Sequence, residues 1–431
     1  MKKRLKPQVN ILLTFSTLII GGALFLFLPI AQRSNVKVTF LDALFTATSA
    51  VTITGLTTVD LFATYSTFGK IIIGLLMQLG GLSITTISVF ILTIIGSKIS
   101  YSRRDLARET VSIDKKEGIL KTIAMIVKIT FIIEFLGIGY FTVFFLIKGF
   151  NFFSSLGYAT FHTISAFNNA GLTIFSDNNS LFLYRSDYAF NLATILLIIL
   201  GGIGTLVIYD IFSKKNYKKF SFHTKIVLKM TAILYLFGAL SFYFGEKEAT
   251  ILNALFHSAT TRTAGFYTYN YLNAKNATLL LTMLLMFIGG APASTAGGIK
   301  ITTLYTVFKS TTSKIKRKTP VSYKREIPLE YEQKAATTIF LTTAILLIGI
   351  TIIALFDQQK DLSYITFESI SAISNTGLSL NLTSSLKIGS KITLIFLMLI
   401  GRVGAITFIS AFLYKQQQLA KIEYIEIDYL V

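Results

Sequence analysis

Long apolar runs alternate along the whole chain with short stretches of small hydroxyl residues. Eight runs are long and apolar enough for a spanning helix, which takes about 20 residues: roughly 10–29, 68–96, 122–147, 188–212, 225–245, 276–309, 335–356 and 390–414. Between each odd run and the next even one sits a stretch that the chain writes four times. Phe45–Leu56 reads Phe-Thr-Ala-Thr-Ser-Ala-Val-Thr-Ile-Thr-Gly-Leu, and Phe161–Leu172 and Phe367–Leu378 follow the same outline. The remaining copy, Phe256–Phe266, is one residue shorter. Each copy leads from an aromatic through small hydroxyl residues to one glycine: Gly55, Gly171, Gly265 or Gly377. A second mark follows inside the next apolar run, at Gly80-Gly81, Gly201-Gly202, Gly289-Gly290 and Gly401-Arg402. One unit used four times is therefore the first fact about the chain.

Each unit reads as a long outer helix, a short helix, a glycine turn and an inner helix. The short helices, near 41–51, 154–167, 250–261 and 362–373, are about half a membrane long at about 1.5 Å per residue. An element too short to cross must return, and irregular backbone at that depth survives only where it lines water or is buried in protein. The expected fold is an all-α membrane protein of four helix–pore-loop–helix repeats around a pseudo-fourfold pore, with eight transmembrane helices. The repeats divide the chain at 1–112, 113–219, 220–328 and 329–431.

Composition agrees: 52% of the residues are apolar and 37 are phenylalanine. The net charge of +20 would suggest nucleic acid in a soluble protein, but it is sorted by side. Lys2, Lys3, Arg4 and Lys6 precede the first run, and Lys98, Arg103, Arg104, Arg108, Lys115, Lys116 and Lys121 follow the second. Lys214, Lys215, Lys218, Lys219 and Lys225 follow the fourth, and Lys309 to Lys334 hold eight more cations after the sixth. The opposite connections carry Asp42, Asp60, Asp177, Asp187, Glu246, Glu248, Asp357 and Asp361. Cationic loops face the cytoplasm, so both termini lie inside and the repeated stretches enter from outside. Met1-Lys-Lys-Arg before an apolar run resembles a signal peptide, yet the run is longer than a signal core and serves as the opening helix. Without cysteine there is no disulfide or thiolate site, and three histidines, His162, His223 and His257, make a zinc or copper site unexpected.

Four short helices ending near the midplane would aim their negative ends at a shared cavity, where a cation is stabilised. The residues that follow are Thr52-Ile53-Thr54-Gly55, Asn168-Asn169-Ala170-Gly171, Arg262-Thr263-Ala264-Gly265 and Ser374-Asn375-Thr376-Gly377. Run back outward in extended form, they would offer a ring of backbone carbonyls able to replace the hydration shell of an alkali ion. Glycine permits the backbone angles that turn neighbouring carbonyls to one side. A single glycine in a membrane helix usually serves close packing; four at one place in a fourfold repeat point to a filter. Arg262 is the odd member, expected to turn away and pair with backbone or a carboxylate.

The sixth run holds Gly290-Ala291-Pro292-Ala293-Ser294-Thr295-Ala296-Gly297-Gly298 just after Gly289. Glycine and proline there must break the helix, and the broken segment would lie just inside the filter. The alternative is a kink filled by water or side chains. Only this span reads as strongly broken. Glu134, mid-span, is either a coordinating group or a partner for a loop's free amides, the latter favoured by its place on an outer helix. His162 and His257 share a repeat position with Thr46 and Glu368, which suggests local polar partners. The basic loop 310–332 suits anionic lipid or a cytosolic partner, with a solvated loop as the default.

Taken together, Thr-Gly-Leu, Ala-Gly-Leu, Thr-Thr-Arg-Thr-Ala-Gly-Phe and Asn-Thr-Gly-Leu at the four glycines resemble the membrane subunit of bacterial Ktr potassium uptake systems, within the Trk/Ktr/HKT superfamily. The likeness covers nearly the whole chain. Trk-type subunits usually carry two extra helices at the front, which this sequence lacks. The resemblance implies uptake of K+ across the bacterial cytoplasmic (inner) membrane, with Na+ as a possible modulator and no organic cofactor in the chain. Gly55, where sodium-favouring relatives often have serine, implies potassium selectivity. It further implies an intramembrane gating loop over Gly290 to Gly298, with Arg402 as its latch. A homodimer held in part by the tail 425–431 and a cytosolic, nucleotide-binding, KtrA-like regulatory ring are implied as partners. No nucleotide-binding fingerprint is present in the chain itself. A secondary transporter would show two halves with matching broken helices, and a membrane enzyme would show clustered carboxylates, histidines or a nucleophile with a base. Neither pattern is visible.

Overall fold

The computed structural model describes residues 7–34, 36–82, 86, 119–175, 180–247 and 249–413. The cations at 2–6 and 98–116, most of the second apolar run beyond Leu82, Asp177, Glu248 and the tail 425–431 lie outside the described residues.

Within them the named elements are helices apart from one hairpin of two-residue strands, Val321–Ser322 with Arg325–Glu326. Four helices are long and apolar enough to cross a membrane: Gln8–Phe27, Thr122–Ile147, Phe222–Gly245 and Leu329–Phe356. Each is followed by a short helix, respectively Phe40–Thr52, Phe152–Phe167, Ile251–Thr260 and Leu362–Ser374. The first three start on side-chain caps. Thr39, Asn151 and Thr250 each accept a backbone N–H from the first helical turn, satisfying a donor the helix cannot. The turn at the far end leaves helical geometry through left-handed backbone, described below.

The inner helices are Thr67–Leu82, Tyr188–Ile203, Asn276–Phe287 and Ile388–Val403. Each packs against the short helix of the next sequence copy, and the fourth packs against the first. The contacts therefore close into a cycle rather than a row. This cycle, and not the linear order, is what brings the four glycine turns together.

The sequence points to one broken span, and among the described residues the structure corrects that to three. The sixth run breaks between Phe287 and Ile301, as its glycines and proline require. The fourth run also bends by 94° at Gly204, and the eighth bends by 100° at Gly404. Both glycines have left-handed φ, 85° and 92°, which an L side chain rarely adopts. Each stands three residues beyond the glycine mark of its run, a spacing that goes unremarked when only the paired marks are compared.

Polar side chains are buried around the turns while many large apolar ones are exposed. Thr46, Thr48, Ser49, Thr52 and Thr54 are wholly buried, while Phe135, Phe153 and Phe244 are more than three-quarters exposed. An apolar exterior around a polar interior suits lipid as the surrounding solvent.

Candidate functional site

The four turns share one backbone path. Two residues before each glycine, Ile53, Asn169, Thr263 and Asn375 take left-handed φ of 57°, 57°, 68° and 53°. The glycines follow at 97°, 69°, 77° and 89°. The turns also meet. A β-carbon built on Gly55 would lie 2.7 Å from the Ala170 carbonyl oxygen, and one on Gly171 would lie 2.6 Å from that of Ala264. A β-carbon on Gly265 would strike the Thr376 oxygen, and one on Gly377 the Thr54 oxygen. Each glycine thus accommodates the carbonyl of the residue before the next glycine, around a closed cycle of four. Any side chain there meets both a strained φ and a fixed oxygen.

A residue overlooked in each copy holds its turn. Ser49, Ser165, Thr260 and Ser371 stand four places after the repeated aromatic, and their carbonyls accept the N–H of Thr54, Ala170, Ala264 and Thr376 at 2.9, 2.7, 2.9 and 2.9 Å. Their hydroxyls brace the same turns a second time. Ser49 and Ser371 accept from the N–H of Gly55 (2.9 Å) and Gly377 (3.0 Å). Ser165 and Thr260 instead donate to the carbonyls of Leu172 and Phe266. The signal was present in the sequence, because a hydroxyl at that place in all four copies exceeds what a packed helix needs.

Beneath the ring, three glycine marks serve close approach. A β-carbon on Gly80, Gly201 or Gly401 would overlap the carbonyl of Val51, Phe167 or Ile373, which are equivalent residues at the ends of three short helices. Gly289 breaks the pattern. It packs instead against Gly297 of its own broken segment. That segment lies between the inner helices. Ala291 and Thr295 donate backbone N–H to the carbonyls of Gly202 (3.0 Å) and Gly201 (3.4 Å), and Thr295 Oγ1 donates to Phe167 (3.2 Å). Gly297 sits so near Ser374 and Asn375 that a β-carbon would come within 2.7 Å of the Ser374 carbonyl.

Two arginines grip this layer. Arg262, buried, donates from Nη2 to the Gly289 carbonyl at 2.5 Å, so its charge is turned onto the backbone at the start of the break. Arg402 donates from Nη1 to Thr295 (2.5 Å) and from Nη2 to Gly80 (2.7 Å) and Gly81 (3.3 Å). It therefore ties the broken segment to the first inner helix. Lys300 Nζ donates to Ala296 at 2.6 Å. A cavity of about 130 Å³ touches all four turn glycines, with Asp60, Thr58, Ser379 and Asn381 on its outer wall. A second, of about 260 Å³, is lined by Gly81, Gly201, Ser294, Thr295, Lys300 and Arg402.

The remaining singled-out residues have local partners. His162 shares a 2.9 Å hydrogen bond with Thr194, and His257 one of 2.7 Å with Tyr271. Glu368 accepts from the hydroxyls of Ser379 and Thr383 and from two backbone N–H groups, stapling the loop after Gly377. Among the described residues no group of three His, Cys, Asp or Glu side chains is placed to hold a metal. The basic loop is partly folded: Lys314 pairs with Glu332 at 2.7 Å beside the hairpin.

Apolar crossing helices, an apolar exterior and a buried polar centre define a multi-pass helical membrane protein. Residues 14–422 match the family described as TrkH, cation transport protein, and the chain belongs to that family. Among relatives, it is 35% identical over 428 residues to the potassium/sodium uptake protein NtpJ of Enterococcus hirae, covering 96% of this chain and 94% of the relative. It is 34% identical over 423 residues to the Ktr system potassium uptake protein B of Bacillus subtilis, covering 95% and 94%. The fold resembles that of the potassium transporter TrkH from Vibrio parahaemolyticus, with a TM-score of 0.74 at 20% identity over 96% of this chain and 86% of that one.

Proposed function

We propose that the chain is the ion-conducting subunit of a potassium uptake system in the bacterial cytoplasmic membrane, built as four helix–pore-loop–helix repeats around one path. The observation that carries this reading is the closed cycle in which Thr54, Ala170, Ala264 and Thr376 each press a carbonyl oxygen against the glycine of the preceding copy. Four like dipoles held together repel one another, and a partly dehydrated alkali cation relieves that repulsion. The ligands are backbone atoms, so side chains differ between copies while the glycines do not. The short-helix ends add negative potential at the same depth.

Ions enter through the outer cavity, shed water at the ring and meet the segment Gly290–Gly298, which acts as the gate. Arg402 is its latch, since it holds Thr295 against Gly80 and Gly81. The membrane potential drives the step, with about 2.3 kcal/mol per charge per 100 mV. Control comes from a cytosolic nucleotide-binding partner on the basic inner face, and the subunit works as a homodimer. The Bacillus subtilis relative, named as part of a Ktr system, favours such a multi-component assembly. A second reading, that sodium shares or modulates the path, is favoured by the name of the Enterococcus hirae relative.

The test is radioactive rubidium against radioactive sodium uptake into liposomes holding the intact chain or Gly55→Ser. Preference for rubidium that weakens in the variant supports the reading. Equal uptake of both ions by both proteins would overturn it.

A further inference from the structure

The four turns are braced in two different ways. In the first and fourth, a hydroxyl three residues before the glycine meets one immediately before it: Thr52 with Thr54 and Ser374 with Thr376, each pair 2.7 Å apart. The second and third turns have Ala170 and Ala264 immediately before the glycine, so that pair cannot form. Their support comes from longer polar side chains behind the turn. In the third it is Arg262 itself, fixed to Gly289. In the second it is a closed triangle of Gln78, Glu134 and Asn168.

The triangle joins three elements that are distant in sequence. Gln78 lies on the first inner helix, Glu134 in the middle of the second long helix, and Asn168 three residues before Gly171. Gln78 Nε2 donates to Glu134 Oε2 at 3.0 Å, and the two hydrogens of Asn168 Nδ2 are shared among Gln78 Oε1 at 3.0 Å, Glu134 Oε1 at 3.2 Å and the Ile164 carbonyl at 2.9 Å. Glu134 and Asn168 are buried, so no bulk water stands in for a lost partner. Gly81, on the same helix as Gln78, leaves room for the Asn168 amide where any β-carbon would strike it. Asn168 is thereby held from two sides at the point where the chain leaves the helix and begins the turn.

We propose that Glu134, acting through Gln78 and Asn168, is the positioning residue that keeps the second turn in register, in place of the hydroxyl pair of the first and fourth. The inference rests on the filter reading above and names what sets one quarter of it. The triangle also ties the second turn to the first inner helix, so movement of that helix is felt at the ring.

Donor and acceptor polarity makes this testable. Glu134→Gln sets an amide donor against another donor. Gln78→Glu sets two carboxylates together. In the double variant Gln78→Glu/Glu134→Gln, all three hydrogen bonds re-form with the first one reversed, and one carboxyl and one amide are kept. The measurement is the ratio of rubidium to sodium uptake and the apparent KM for rubidium in liposomes, with Gly171→Ser as a control. We expect each single variant to lose about tenfold in the ratio, as a buried polar group left unsatisfied implies, and the double variant to recover most of it. A double variant no better than the singles, or Glu134→Gln with an unchanged ratio, would overturn the proposal. If a single variant fails to insert, recovery of both insertion and ratio in the double variant still supports it, and failure of the double variant sinks it. A Gly171→Ser protein with an unaltered ratio would remove the filter reading itself, which separates the two failures.

Discussion

The ring of turns and the layer just beneath it are built from the same four copies, yet one keeps fourfold likeness and the other abandons it. In the ring, φ values, carbonyl contacts and the serine or threonine brace repeat in every copy. Beneath it, three inner-helix glycines fit under short-helix carbonyls, while Gly289 packs on its own broken segment 290–298, which Arg402 holds. On the proposed function, the difference follows from what each layer would do. Stripping water from an ion needs oxygens on all sides at once, whereas closing a path needs an obstruction from one side only.

The sharpest way to break the comparison is to spoil the ring at one copy. Gly377→Ala places a methyl on the Thr54 carbonyl at a φ of 89°. Left-handed strain alone costs about 1–2 kcal/mol, and with the overlap we expect loss of rubidium preference by about tenfold or more. The equivalent changes at Gly55, Gly171 and Gly265 should act alike in uptake assays. A copy that tolerates alanine would show the ring to be less than fourfold.

Next in size is the asymmetric layer. Arg402→Ala removes three hydrogen bonds from a charged donor, each worth about 1.5–3 kcal/mol. Efflux of rubidium from loaded liposomes should rise several-fold, as should that of a chain lacking 291–298, while ion preference is kept. Unchanged flux in both would separate the segment from gating.

A smaller effect is expected at the braces. Ser49→Ala and Ser371→Ala leave the N–H of Gly55 and Gly377 without an acceptor, at a cost of about 1–3 kcal/mol. Thr260→Val removes the donor to the Phe266 carbonyl, and an under-satisfied carbonyl is tolerated better than an orphaned N–H. The serine variants should raise the apparent KM for rubidium more than the threonine variant does. Smallest is Lys148→Ala, where a partly exposed ion pair with Asp187 is worth about 1 kcal/mol or less. Thermal unfolding in detergent should shift little, and uptake by the isolated chain should not change.

Several elements were legible before any coordinates. The short helices fall within two residues of their expected limits at each end, because an aromatic, a hydroxyl run and a terminal glycine mark them in all four copies. The break after Phe287 was equally plain from its glycines and Pro292. The bends at Gly204 and Gly404 were not, since one glycine in an apolar run reads as packing until its φ is known. The partners of Glu134 were hidden for a different reason: Gln78 is 56 residues away, and nothing local links the two.

By itself the sequence determined the periodicity, the half-length of the short helices, the placement of glycine and the sidedness of charge. All of these are set by local backbone preference and by transfer between water and lipid, which act residue by residue. Only the tertiary structure decided that each inner helix packs on the following copy's short helix, which carbonyl faces which glycine, and which side chains reach Thr295 or Asn168. Those depend on distances between segments far apart along the chain. A one-dimensional pattern repeated four times is equally compatible with a row or a ring, and the cycle of helix contacts chooses the ring.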